Sequence, residues 1–101
     1  MRMLVYVEFP VEKFNAMVRD GTAGPMLKRI MDDLRPESCH FIENHGCRGC
    51  MLTIEVAEPS SVPSIAEPFF LNFDAKVEFH ICMTPEDLGK AGLDELAKKW
   101  G

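Results

Sequence analysis

The stretch Cys39–Val56, CHFIENHGCRGCMLTIEV, constrains the fold more than any other part of the chain. Two alternating runs, Cys39–Glu43 and Cys50–Val56, flank a polar, glycine-containing connection, which is the pattern of a β-hairpin. With Asn44–Cys47 as the connection, Glu43 faces Arg48 and Phe41 faces Cys50, so opposite charges pair across the strands. That register sets Cys39, Phe41, Leu52, Ile54 and Val56 on one face, which is a core face. His40, Ile42, Met51, Thr53 and Glu55 fall on the other, a mixed face on which any chemistry is expected.

The flanking segments complete a pattern. Met3–Phe9 is an apolar, β-branched and aromatic strand stopped by Pro10. Its alternation separates Met3, Val5, Val7 and Phe9 from Leu4, Tyr6 and Glu8. Helical spacing follows over about 11–20 (Phe14, Met17, Val18) and 24–34 (Leu27, Ile30, Met31, Leu34). Asp20-Gly-Thr-Ala-Gly-Pro25 between them is either a bend that wraps the helix over a sheet or an anion-binding helix start capped by Thr22. After the hairpin, Ser60 or Ser61 is placed to cap a helix running to about Leu71, with Ile65 and Phe69 inward. Pro68 predicts a kink or an early end there. Lys76–Met83 is the last strand, with Val77, Phe79, Ile81 and Met83 on the core side and Lys76, Glu78, His80 and Cys82 on the other. Thr84-Pro-Glu-Asp87 is a helix start with a capping hydroxyl, proline at the first position and acids in the first turn.

Strand, helix, strand, strand, helix, strand is the ferredoxin-like split βαβ order. The expected fold is therefore α+β: one four-stranded antiparallel sheet, the first and third strands central, helices on one face and an extra C-terminal helix. At 101 residues the chain is expected to be a single domain over 1–101, with 84–101 a helical tail. The tail carries Leu88, Leu93, Leu96 and Trp100 on one side and is expected to pack on a sheet edge or on a second copy.

A net charge of −5 and the absence of a basic stripe argue against nucleic acid as the partner. No run approaches the ~18 apolar residues of a membrane span. The start, Met1–Val7 followed by Glu8, is too short for a signal sequence. The four cysteines therefore fit a reducing cytoplasm. No phosphate loop or dinucleotide fingerprint is present, and no cofactor is expected.

The face left open by the helices carries Leu4, Tyr6, Glu8, His40, Ile42, Met51, Thr53, Glu55, Glu78, His80 and Cys82. A solvent-facing sheet is normally more polar. The simplest cover is an identical face across a two-fold axis, making a dimeric α/β barrel whose interior can hold a small ligand. The candidate ligand-binding residues are Tyr6, Glu8, His40, Thr53, Glu55 and His80, with His40 on an edge strand. His80 beside Tyr6 or Glu8 is either an acid/base pair, with Glu78 in support, or a set of groups that satisfy one another in a dimer interface.

His45-Gly-Cys-Arg-Gly-Cys50 resembles half of a zinc site, but the second pair of ligands is absent and no metal is expected. Thioredoxin-type chemistry needs the pair at a helix N-terminus, and here it sits in a hairpin. Cys47 and Cys50 are expected to be free, exposed thiols whose replacement by serine costs about 1 kcal/mol or less.

Ala66-Glu-Pro-Phe-Phe-Leu71, Ala75, Val77-Glu78, Met83 and Pro85-Glu-Asp-Leu88 resemble a family of small bacterial proteins of about this length with the ferredoxin-like fold. Met1-Arg-Met-Leu4, Pro10-Val-Glu12, Asn15-Ala16 and Arg19-Asp-Gly21 extend the likeness to the first half. The resemblance implies the fold and a homodimer of the dimeric α/β-barrel group, and carries no activity. It does not include cysteines at positions 47 and 50, which speaks against a Cys-based mechanism. The wider group includes cofactor-independent oxygenases, small isomerases, haem-handling proteins and stress-response barrels, several of which use a His or Tyr at the barrel mouth. Fold alone does not choose among them.

Three readings of function follow. The first is a homodimeric barrel binding a small apolar or aromatic ligand oriented by Tyr6, Thr53 and His80. The second is a cofactor-independent oxygenase or isomerase with His80 as base and Tyr6 or Glu78 in support. The third is a structural or regulatory interaction protein whose barrel is filled by its own side chains.

Overall fold

The computed structural model describes residues 1–101. Strands β1 (Arg2–Glu8), β2 (Ser38–Asn44), β3 (Cys47–Glu55) and β4 (Lys76–Ile81) form one antiparallel sheet in the order β2-β3-β1-β4. Helices α1 (Val11–Asp20) and α2 (Ala23–Leu34) follow β1, and α3 (Val62–Phe73) precedes β4. This is the ferredoxin-like βαββαβ fold that the element order predicts, with the first and third strands in the centre.

The β2–β3 register is the expected one: Glu43 pairs with Arg48 and Phe41 with Cys50. The loop is tighter than the sequence suggests, because Asn44 still pairs with Cys47 and only His45 and Gly46 turn the chain. Both have positive φ, 54° and 75°, which is the type I′ geometry that matches strand twist. A two-residue turn and a four-residue connection give the same register here, so the error costs nothing in facing.

The helix-facing side of the sheet is closed by an aromatic cluster. Phe9 meets Phe14 and Phe73 edge-on, with ring centroids 5.0 and 4.9 Å apart, and Phe69 lies within 6.3 Å. Val5, Val7, Cys50 and Leu52 are fully buried beneath them. The cluster explains why α3 runs on to Phe73 through Pro68 instead of ending near Leu71. A proline inside a helix costs ~3 kcal/mol, while burying the Phe69 and Phe73 rings contributes about 1.5–3 kcal/mol each. The Asn72 amide donates to the Pro68 carbonyl at 2.8 Å and steadies the last turn.

Several local expectations are corrected. Gly21 takes the left-handed conformation (φ 81°) that ends α1. The Thr22 hydroxyl donates to Asp20 rather than capping α2, so the segment bends the chain without the expected cap. Neither Ser60 nor Ser61 caps α3 through its side chain; a 3-10 turn, Pro59–Ser61, leads into it. Phe41, expected in the core, is 61% exposed, and Ile81 and Met83 are 66% and 65% exposed. Phe41 and Ile81 lie on the helix side of edge strands, beyond the reach of the helices, and β4 ends at Ile81 instead of Met83, which leaves Met83 outside the sheet. Cys50 is the opposite case. It is fully buried, because a residue paired with Phe41 on a central strand points under the helices.

Beyond β4 the Thr84 hydroxyl accepts from the Asp87 amide, and the Asp87 carboxylate accepts from the Thr84 amide, each at 3.0 Å. This capping box starts α4 (Pro85–Gly89); Gly92 (φ 71°) breaks the chain before α5 (Leu93–Trp100). Every residue from Pro85 to Gly101 is exposed, so the tail packs on no edge of its own sheet. It stretches the molecule to 59 × 28 × 20 Å, with a radius of gyration of 17.0 Å, against ~13 Å for a compact chain of this length.

Candidate functional site

The open face is a grid of rows read across β2, β3, β1 and β4. One row is His40, Met51, Tyr6, Glu78; the next is Ser38, Thr53, Leu4, His80; the row on the other side is Ile42, Gly49, Glu8, Lys76. Alternation in each strand puts these side chains on the same side, away from the aromatic core.

The β1–β4 half of that face holds a depression of about 200 Å³. Tyr6, half-buried, forms its only apolar wall, and its ring meets the His80 imidazole edge-on with centroids 5.5 Å apart. His80 Nε2 lies 3.4 Å from a carboxylate oxygen of Glu78, two residues earlier on the same strand and face. Glu8 and Lys76, Cα partners across β1 and β4, line it further along. Asn44 and His45 reach it from the hairpin tip, and His45 Nδ1 is 2.8 Å from Glu8 Oε1.

Four of the sequence-derived candidates are thus together: Tyr6, Glu8, Glu78 and His80. Three are elsewhere. His40 shares Tyr6's row, but Met51 stands between them. Thr53 is separated from His80 by Leu4. Glu55 accepts from the N-terminal ammonium group at the far end of the sheet. His45, Asn44 and Lys76 were not among the candidates. Strand parity already put Lys76 on this face; His45 and Asn44 join it only because the turn is two residues long.

The cysteines are all free. Cys47 and Cys50, three residues apart in one extended strand, point to opposite faces, so they cannot chelate one ion together. Burial pushes the Cys50 thiol up to about 12 and also raises that of half-buried Cys39. No three His, Cys, Asp or Glu side chains converge as a metal-binding group, and no helix is long and apolar enough to cross a membrane. A larger groove of about 740 Å³ between α2 and α3, beside Arg29, Asp33 and Glu67, contains no imidazole, thiol or phenol. The smaller depression is therefore the better candidate on chemistry.

No protein-family model and no curated protein matches the chain. Among solved structures it is similar to the 5-chloro-2-hydroxyhydroquinone dehydrochlorinase of Burkholderia phenoliruptrix in complex with 2,5-dihydroxybenzoquinone, with a TM-score of 0.59 and 17% identity over 86% of this chain and 99% of that one. At that identity the likeness is one of fold.

Proposed function

We propose that the chain is a homodimeric barrel of the cytoplasm that binds a small, oxygen-bearing aromatic ring in the depression beside Tyr6 and His80, with the open sheet face of a second copy as its roof. The observation that carries this reading is the Tyr6–His80 edge contact with Glu78 behind the imidazole, at a concavity on an otherwise uncovered sheet face. Its volume of about 200 Å³ lies below the ~300 Å³ at which drug-sized sites begin, which suits a single ring. The polar lining shifts the expected ligand from a purely apolar one to a ring with polar substituents. The solved neighbour's bound dihydroxybenzoquinone is of that class. The family resemblance in Ala66–Leu88 supports the same barrel.

The Glu78–His80 contact also favours a second reading, proton-transfer catalysis of the isomerase or cofactor-independent oxygenase type. With Nε2–H donated to Glu78, His80 Nδ1 is left to accept a proton from a ligand hydroxyl, and the carboxylate then stabilises the imidazolium. Tyr6 would hold the ring.

Calorimetric titration of single-ring phenols into the protein and its Tyr6→Leu variant tests the binding reading. The expected result is measurable affinity that falls roughly ten-fold or more in the variant; equal affinity in both overturns it. Following the ligand's absorbance under air then separates the two readings, since a binding protein leaves the spectrum unchanged and an enzyme does not.

A further inference from the structure

The depression contains two imidazole–carboxylate pairs, and they come from different parts of the fold. Glu78 and His80 are neighbours on β4. Glu8 and His45 are joined across the sheet, from the C-terminal end of β1 to the tip of the β2–β3 hairpin. The second pair is not a casual surface contact. Its carboxylate is only 21% exposed although the imidazole is 82% exposed, and three features of the chain serve it.

The first is the turn. His45 holds φ 54°, a conformation that side-chain-bearing residues adopt rarely; it swings the imidazole back over the open face. The second is Gly49, the Cα partner of Glu8 on β3. Without a side chain there, nothing stands between the hairpin tip and Glu8. A Cβ at Gly49 would lie 2.6 Å from the Val7 carbonyl oxygen, so the gap belongs to the fold. The third is the hydrogen bond itself, which takes Nδ1 of His45 and leaves Nε2 for a ligand.

Resting on the binding reading above, we infer that this is a two-ended site for a ring carrying two hydroxyl groups, with His45 and Glu8 reading the second oxygen and His45 acting as a specificity-determining residue. Glu8 and Glu78 are diagonal neighbours on adjacent strands, a relation that places Cα atoms about 7–8 Å apart and leaves the width of one ring between the two pairs. A hydroxyl at each end donates to a carboxylate or an imidazole nitrogen. A carboxylate substituent instead meets Glu8 or Glu78. Lys76, beside Glu8, offsets one of those charges and leaves the other. The chemical class is therefore a dihydroxybenzene, not a monophenol and not a hydroxybenzoate.

The probes are hydroquinone, phenol and 4-hydroxybenzoate, titrated into the full chain and into His45→Asn, Glu8→Gln and the double variant. Asparagine tolerates positive φ, so His45→Asn keeps the turn, and an unchanged amide spectrum verifies it. The expected result is hydroquinone binding roughly ten-fold tighter than phenol, as a hydrogen bond to a charged group supplies, with 4-hydroxybenzoate weakest. Each single variant shrinks the hydroquinone-to-phenol ratio through loss of hydroquinone affinity, and the double variant brings the ratio near one. Equal affinity for hydroquinone and phenol in the unaltered protein overturns this inference and leaves the binding reading standing, provided Tyr6→Leu still weakens both. Binding of none of the three rings overturns both.

Discussion

The Tyr6 ring stands at 88° to the His80 imidazole, with centroids 5.5 Å apart, on adjacent strands of the open sheet face. The relation follows from register. Tyr6 pairs with Glu78 and Leu4 with His80, so Tyr6 and His80 are diagonal neighbours, close enough for two aromatic side chains to touch. An edge-on pair of this kind is worth ~0.5–1.5 kcal/mol beyond its burial and fixes the imidazole plane, which is what a base or a ligand anchor needs.

Burial of the aromatic core should dominate stability. Phe73 is fully buried between Phe9 and Phe14. Phe73→Ala is expected to cost about 3–5 kcal/mol in urea unfolding, a large share of the ~5–15 kcal/mol total of a domain this size. A loss under ~1 kcal/mol would mean that α3 does not anchor the sheet.

The two hairpin cysteines should behave differently. Cys47→Ser is expected to change stability by less than ~1 kcal/mol, whereas Cys50→Ser puts a hydroxyl in an apolar core and costs about 1–3 kcal/mol. In brief alkylation of the native protein near pH 8, mass spectrometry should find adduct on Cys47 and none on Cys50. The neutral Cys50 thiol also makes stability pH-dependent. Its contribution is fully present below about pH 9, the ordinary thiol value, and is lost as pH rises toward about 12. Equal labelling of both thiols would contradict the placement of Cys50.

At the other end of the scale, the Asp87 carboxyl is held below the usual carboxylate range by bonds from the Thr84 amide and hydroxyl. A depressed acid stabilises above its unfolded value, ~3.9, and loses that contribution as pH falls through the folded value. NMR titration should show Asp87 protonating below ~3.9 and the α4 amides losing protection in the same window. In Thr84→Val the titration should move only part of the way back toward the ordinary value, because the hydroxyl is lost and the residue-84 amide still donates. No change in that variant would show that the capping box does not hold the tail.

The sheet was legible in the sequence because alternation is a property of single residues. Glu43 opposite Arg48 and Glu8, Glu78 and His80 on one face follow from parity alone. Cover is not local. Parity places Phe41 and Ile81 on the helix side but cannot tell that α1–α3 stop short of the edge strands, nor that Cys50, one row inside Phe41, is sealed. His45 escaped for a different reason. In sequence it stands beside Cys47 and Cys50, and only the turn at His45–Gly46 directs it to Glu8. Pro68 carries a helix penalty that is local, whereas the burial of the Phe69 and Phe73 rings that outweighs it is tertiary.

Association should be strong. Leu88, Leu93, Leu96 and Trp100 are all more than 40% exposed on a tail with no cover from its own chain, and an eight-residue helix does not persist alone in water. Light scattering is expected to give twice 11.4 kDa at micromolar concentration; Leu96→Lys with Trp100→Lys should weaken the dimer. A mass of 11.4 kDa would remove the roof proposed for the site.

The most direct test is an NMR titration of the protein with hydroquinone, observing the backbone amide signals together with the histidine and tyrosine ring signals. Saturable shifts at Tyr6, His80 and His45, with His40 unmoved, are the expected result. Shifts confined to the α2–α3 groove around Leu71 and Asn72, or none at millimolar ligand, would contradict a ring site on the open face.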